Sequence, residues 1–410
     1  MSVTRISRPL AGLALAGCLL LMLLHPASSL DAALRGLAVW WDVLLPSLFP
    51  FFVISEVMLG LGVVHLFGTL LDPLMRPLFS IPGSGGFVAA MGYVSGYPVG
   101  AKLTAKLREQ KLITRVEGER LVAFTTSSDP IFLLGAVSVG FFHDASLGLI
   151  LAVSHYGSGL LIGLLMSLHG RKEAATPDVG PADGPDGQAG GRLRAALRAM
   201  SDARRRDGRT LGELLGGAVQ SSLQLIIVVG GLVVFFNVLM VLLAKAGILS
   251  ALYALGGRAL AAVGFPPELS SAFVSGFFEV TFGTRSAGEA AMTIPLQFKA
   301  AAAAFILSWG GLSVHAQVAS ILNGTGMRYL PFMLARLLHA FLAAGALLLL
   351  WKPFAHWGVA PAAAYLPAFS PASPAQGIAA SLALLGLLLG IALILTPLAL
   401  WIGKIRASLR

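Results

Sequence analysis

A second cysteine is missing from this chain. Cys18 stands alone inside an apolar run, which excludes an internal disulfide. Charge is scarce as well: Asp, Glu, Lys and Arg make up 12% of the 410 residues. So few polar positions cannot assemble a water-facing surface, and a soluble globular domain is excluded. Catalytic signatures are lacking too. There is no His-Glu-x-x-His and no Gly-x-Ser-x-Gly, and His65, His143, His155 and His339 read as scattered, without metal-ligand spacing. The stretch from Gly96 to Gly100-Ala101-Lys102 superficially resembles a phosphate loop but lacks its Gly-Lys-Ser/Thr ending. No enzyme, no metal site and no nucleic-acid partner is expected.

What the chain has instead is apolar length. Hydrophobic residues are 56% of the sequence and the mean hydropathy is +0.83. A membrane-spanning helix needs about 20 mostly apolar residues. Eight spans are read, near 9–25, 43–66, 121–142, 145–168, 217–244, 293–322, 329–351 and 378–402. Two shorter interrupted segments, near 84–100 and 268–285, read as re-entrant hairpins. The first apolar run contains Leu15-Ala16-Gly17-Cys18, which mimics a lipoprotein processing site, but it continues through Leu24 and reads as an uncleaved span. The expected class is an all-α polytopic membrane protein.

The net charge of +10 is concentrated in connecting segments. With the N-terminus inside, the cytoplasmic side collects Arg5, Arg8, Lys102, Lys106, Arg108, Lys111, Arg115 and Arg120, the Arg171–Arg209 segment, and Lys404, Arg406 and Arg410. The outside keeps Arg35, Lys245, Arg258, Arg285, Lys299 and Lys352. The positive-inside rule then puts both termini in the cytoplasm.

Two stretches about 180 residues apart echo one another: Val94-Ser95-Gly96-Tyr97-Pro98-Val99-Gly100 and Val274-Ser275-Gly276-Phe277-Phe278-Glu279. Each follows a proline-marked turn and precedes an interrupted apolar helix. The charge count starts the first unit outside and the second inside, so the units read as inverted copies. Paired broken segments in such halves point to a binding site near the bilayer midplane. The organisation expected is an N-terminal span and short loop (1–42), a first unit with its following span (43–169), a basic cytoplasmic linker (170–212), a second unit (213–325) and C-terminal spans (326–410). The linker, rich in Pro, Gly and Asp before it turns basic, is expected to bury almost nothing.

Irregular backbone survives at membrane depth only inside protein or beside a water-filled cavity. Ser95, Gly96, Tyr97 and Gly100 are therefore candidates at one hairpin tip, and Ser275, Gly276 and Glu279 at the other. Thr126, Ser127, Ser128 and Asp129 stand where Pro130 breaks the following helix, and Ser308, His315 and Gln317 form a polar stripe in the second unit. An ionisable group within a span is costly and by default marks function. Asp129 either coordinates a ligand or only caps a broken helix. Glu279 either serves a site or pairs with Arg285, and Glu56 pairs with Lys102 or with backbone. His315 either relays a proton or simply hydrogen-bonds its neighbours.

The run Met91-Gly92-Tyr93-Val94-Ser95-Gly96-Tyr97-Pro98-Val99-Gly100-Ala101-Lys102, followed by Val116-Glu117-Gly118-Glu119-Arg120-Leu121 and Phe124-Thr125-Thr126-Ser127-Ser128-Asp129-Pro130, resembles a known family. It is similar to the YlbJ-like sporulation integral membrane proteins, which belong with the nucleoside-recognition (Gate) domain membrane proteins. The likeness runs from about Leu45 to Leu338. It implies a role in spore cortex formation on a transporter-like scaffold. The inverted broken units, with Asp129 and Glu279, add the expectation that it moves a nucleoside-like or other small polar solute by ion-coupled alternating access. The competing expectation is a non-transporting scaffold of a sporulation complex. No cofactor is expected beyond a coupling Na+ or H+. The partners implied are the lipid bilayer, the solute, and a second copy or other sporulation membrane proteins.

Overall fold

The computed structural model describes residues 3–171, 173, 176 and 189–356, and every regular element among them is helical. The predicted span at 378–402 lies outside the described residues. Four stretches are long and apolar enough to cross a bilayer: Leu147–Met166, Leu211–Lys245, Leu296–Leu322 and Tyr329–Pro353. The count rises to six if each of two sharply bent helix pairs forms one span. The chain is a multi-pass, all-α membrane protein.

Those bent pairs depart from the expected pattern. Helix α1 (Val3–Leu24) turns by 107° at Pro26 into α2 (Pro26–Val39). The segment expected as a short loop is thus helical, and it lies along α10 (Leu211–Lys245). Gly36 lets the backbones approach until only an absent Cβ separates it from the Val234 Cα, and Asn237 donates to the Ala32 carbonyl at 2.7 Å. The expected span at 43–66 likewise ends early. Helix α3 (Leu45–Gly60) bends by 82° into the amphipathic helix α4 (Val63–Phe79).

Two hairpins and two broken helices follow in like order. The first hairpin is α5 (Ser84–Ser95) and α6 (Tyr97–Glu109); its broken helix is α7 (Arg115–Thr125) followed by a wide-wound π-helix, Ile131–Phe141. After α8 (Leu147–Met166), α9 (Ala189–Asp207), α10 and α11 (Ile248–Ala262), the second hairpin is α12 (Ser270–Phe278) and α13 (Val280–Gly288). Its broken helix is α14 (Leu296–Trp309) and α15 (Gly311–Leu322), and α16 (Tyr329–His356) completes the described chain. Glycine closes both hairpins. A Cβ on Gly92 would sit 3.3 Å from the Gly100 Cα, and one on Gly283 would sit 2.2 Å from the Gly276 Cα.

Lipid tails are as apolar as leucine, so helices in a bilayer associate by close packing of small residues. The run Ala300–Ala304 of α14 is fully buried, and α14 packs along α16, which buries Ala340 and Ala343. The linker helix α9 follows the same rule and corrects the expectation that the linker buries almost nothing. Ala196 is fully buried and Ala203 lies against Gly62, so α9 seats its small-residue side on α4.

Candidate functional site

Four backbone breaks converge at the centre of the protein, and each has a specific chemical cause. In the first hairpin Gly96 (φ 88°, ψ −178°) occupies a region essentially closed to other residues. Pro98 follows in the first turn of α6, where no N–H is needed. In the first broken helix the chain is irregular from Thr126 to Asp129, and the Asp129 Oδ1 accepts the Phe132 N–H at 2.9 Å. In the second hairpin Glu279 is extended, and its Oε2 accepts the Phe282 N–H at 3.0 Å while Thr281 donates to Oε1 at 3.2 Å. In the second broken helix Gly310 and Gly311 both have positive φ.

Each half therefore has one glycine break and one acid-capped break, with the roles exchanged between hairpin and broken helix. Within each half the two breaks face one another. A Cβ on Gly96 would stand 3.1 Å from the Asp129 Oδ2, and one on Gly311 would stand 3.0 Å from the Glu279 Cα. The two carboxylates sit at helix N-termini, where negative charge is favoured and orphan N–H groups need acceptors.

A cavity of about 320 Å³ lies between these tips, at the small end of the usual ligand-pocket range of ≈ 300–1,000 Å³. Tyr97, Asp129, Glu279 and Gln317 line it, joined by Thr281, Phe282 and Ser313, against an apolar wall that includes Leu48 and Val229. Four of the expected site residues thus meet across some 220 residues of sequence. Gly96 supports Asp129 from behind.

Other expected residues lie off the cavity. Gly100 makes room for the Thr125 carbonyl, and Gly276 for Gly283 and Ile306, so both serve close packing. Ser275 is buried and its carbonyl accepts the Glu279 N–H at 2.8 Å; Ser95 is buried with its hydroxyl unpartnered. His315 pairs with the Tyr329 hydroxyl at 2.6 Å and packs on Trp309. Arg285 pairs with Glu289 at 3.7 Å, which leaves Glu279 to its capping role. Glu56 does pair with Lys102, at 3.5 Å, and also with Lys106 at 3.2 Å.

Thr126, Ser127, Ser128 and Ser308 belong to a buried polar nucleus behind the cavity. Its centre is Arg336 of α16, fully buried, which donates through Nη1 to the Thr126 carbonyl at 2.6 Å and through Nη2 to the Leu307 carbonyl at 3.3 Å. Two helix C-termini, one from each half, therefore aim their negative ends at one guanidinium. Among the described residues no carboxylate lies within ion-pair distance of it. The guanidinium also lies 6.0 Å from the Tyr97 ring, and the Tyr97 hydroxyl donates to the same Leu307 carbonyl at 2.8 Å.

Two of the four histidines read as scattered, His155 and His339, are brought together here. His155 and His339 stack with centroids 5.0 Å apart. His155 bridges Ser127 and Ser308, at 2.8 Å each, and so links the breaks of both halves. His339 faces the His155 carbonyl through Nε2 at 2.8 Å and Arg336 through Nδ1 at 3.0 Å, which assigns its proton to Nε2. Arg336 had a legible signal, an arginine in the apolar run Leu334-Ala335-Arg336-Leu337. The histidine pairing had none.

A second polar cluster ties the ends of α7, α8 and α16. The buried Glu119 carboxylate accepts Arg328 Nε and Nη2 at 2.9 and 2.8 Å, the Arg328 backbone N–H at 2.9 Å, and His169 at 2.7 Å. Burial opposes its ionisation, but the Arg328 and His169 hydrogen bonds prevail and hold the carboxyl down at about 2. Among the described residues no three His, Cys, Asp or Glu side chains are grouped to hold a metal.

The family model described as "Nucleoside recognition" (Gate) matches residues 42–171. The chain is 45% identical over 336 residues to the "Sporulation integral membrane protein YlbJ" of Bacillus subtilis (strain 168), a match that covers 80% of this chain and 79% of that relative. No solved structure matches the chain.

Proposed function

The chain belongs to the family of the sporulation integral membrane protein YlbJ and carries a Gate domain, and from that premise we propose that it is a secondary transporter of the sporulating bacterial cell. It moves a nucleoside-like or other small polar solute by ion-coupled alternating access. The observation that carries this reading is the pair of cap carboxylates, Asp129 and Glu279, on the wall of one central cavity. A carboxylate that caps a helix through one oxygen keeps lone pairs for a cation or solute donor. Tyr97, Ser313 and Gln317 offer hydrogen bonds beside it, and the apolar wall accepts the flat body of a base. The coupling ion is Na+ or H+, and both termini lie in the cytoplasm, as the lysine and arginine distribution favours.

Proteoliposome uptake of labelled nucleosides and cell-wall precursors, under an imposed Na+ or H+ gradient, tests the reading. Gradient-dependent accumulation is expected, cut about tenfold or more by Glu279→Gln or Asp129→Asn, which remove cavity-lining acids of the kind that mark a transport path. If the panel shows no gradient-dependent flux, the reading falls.

The second reading, a non-transporting scaffold, draws on α9, whose outer side exposes Leu193, Leu197, Arg194 and Arg198. Deletion of residues 171–209 separates the two. Lost cortex with intact membrane insertion favours the scaffold.

A further inference from the structure

The central cavity has a neighbour. A second cavity of about 510 Å³ is lined by Glu268, Ser271, Arg285, Ser286, Glu289 and Ile294 around the second hairpin. It is polar where the central cavity is mainly apolar, and Arg285 and Glu289 on its rim are exposed. One residue belongs to both walls: Phe282. Phe282 stands in the first turn of α13, on the wall that also holds Asp129 and Glu279 in the central cavity and on the wall that holds Arg285 and Glu289 in the second.

Its seat is determined by the same acid that lines the central cavity. Glu279 Oε2 holds the Phe282 backbone N–H at 3.0 Å, and Gly283, next in sequence, is pressed against Gly276 of α12. The Phe282 main chain is therefore fixed from both sides, at a position that borders two voids. An apolar side chain across a narrow passage blocks water and ions, because the constriction cannot hydrate them.

We propose that Phe282 is the partition between the central cavity and an outer vestibule, and that the solute and its coupling ion pass between them at this ring. The inference deepens the transport reading and rests on it for its purpose. In the proposed topology the vestibule faces outward, since Arg285 lies on the outer side.

Accessibility of full-length protein in sealed proteoliposomes tests this without knowledge of the solute. Cys18→Ser provides a cysteine-free background. Ser313→Cys reports on the central cavity and Ser286→Cys on the vestibule. A membrane-impermeant methanethiosulfonate applied from the vestibule side should label Ser286→Cys fast and Ser313→Cys slowly. Adding Phe282→Ala should raise the Ser313→Cys rate by about tenfold or more and leave the Ser286→Cys rate unchanged, as expected for removal of an apolar constriction. Phe282→Leu, a milder change, should give an intermediate rate and covers the case in which alanine prevents folding.

The proposal is overturned if Ser313→Cys labels as fast as Ser286→Cys while Phe282 is intact. It is also overturned if neither substitution changes its rate, or if reagent reaches it only from the opposite side. Failure of uptake with the labelling pattern intact sinks the transport reading and spares the partition. Uptake that persists while Phe282→Ala leaves labelling unchanged does the reverse.

Discussion

Gly96 stands directly against the carboxylate of Asp129, so a Cβ at that position would lie 3.1 Å from Oδ2. The hairpin tip and the broken helix of the first half thus share one close contact. Gly96→Ala meets two obstacles there, the crowded carboxylate and a backbone conformation essentially reserved for glycine. A loss of roughly 1–3 kcal/mol is expected, read as a lower melting temperature in detergent. Gly212→Ala, at an open helical position with nothing within 4 Å, should be neutral or slightly stabilising in the same assay. Equal effects at the two positions would refute the role given to Gly96.

Arg336→Lys tests the clamp on the two broken helices. An ammonium keeps the charge but cannot span the Thr126 and Leu307 carbonyls with the fixed fork of a guanidinium. A charge-assisted hydrogen bond contributes about 1.5–3 kcal/mol, so losing one should destabilise the protein by that order. Arg336→Met, which takes the guanidinium from the Thr126 carbonyl and leaves the Leu307 carbonyl only the Tyr97 hydroxyl, should cost more. A melting temperature unchanged by both substitutions would remove Arg336 from the nucleus it is assigned to.

The Glu119 cluster predicts a specific acid response. Its folded carboxyl, held at about 2 by Arg328 and His169, lies below the ordinary 4.5 of a glutamate. A depressed acid stabilises the fold at pH values above its unfolded value, and that contribution fades as pH drops toward the folded one. Wild-type stability should therefore fall between about pH 4.5 and pH 2. Glu119→Gln should be less stable at neutral pH and show a shallower fall over that window. Parallel pH profiles for the two proteins would contradict the linkage.

Much of the site was legible in the residues themselves. Glycine and proline inside apolar runs announce breaks, and an acid in such a run announces a cost that something must offset. Those two rules single out Gly96, Asp129 and Glu279, and all three stand at the central breaks. The same rule applied to Arg336 would have found the guanidinium. Residues such as Gly100 and Gly276 were not separable from site residues, because a glycine for close packing and a glycine at a tip look alike in one dimension. The bends at Pro26 and after Gly60 were missed because apolar composition fixes membrane affinity without fixing helix direction.

By itself the sequence determined that this chain is helical and membrane-embedded, since so little charge and so much apolar length admit no other solvent. It also determined where the backbone must break, because proline and glycine act through local sterics. Only the tertiary structure decided which breaks face one another. His155 reaches Ser127 and Ser308, Arg336 reaches two carbonyls 181 residues apart, and Phe282 lines two cavities. Those relations depend on close packing between helices distant in the chain, which local periodicity does not encode.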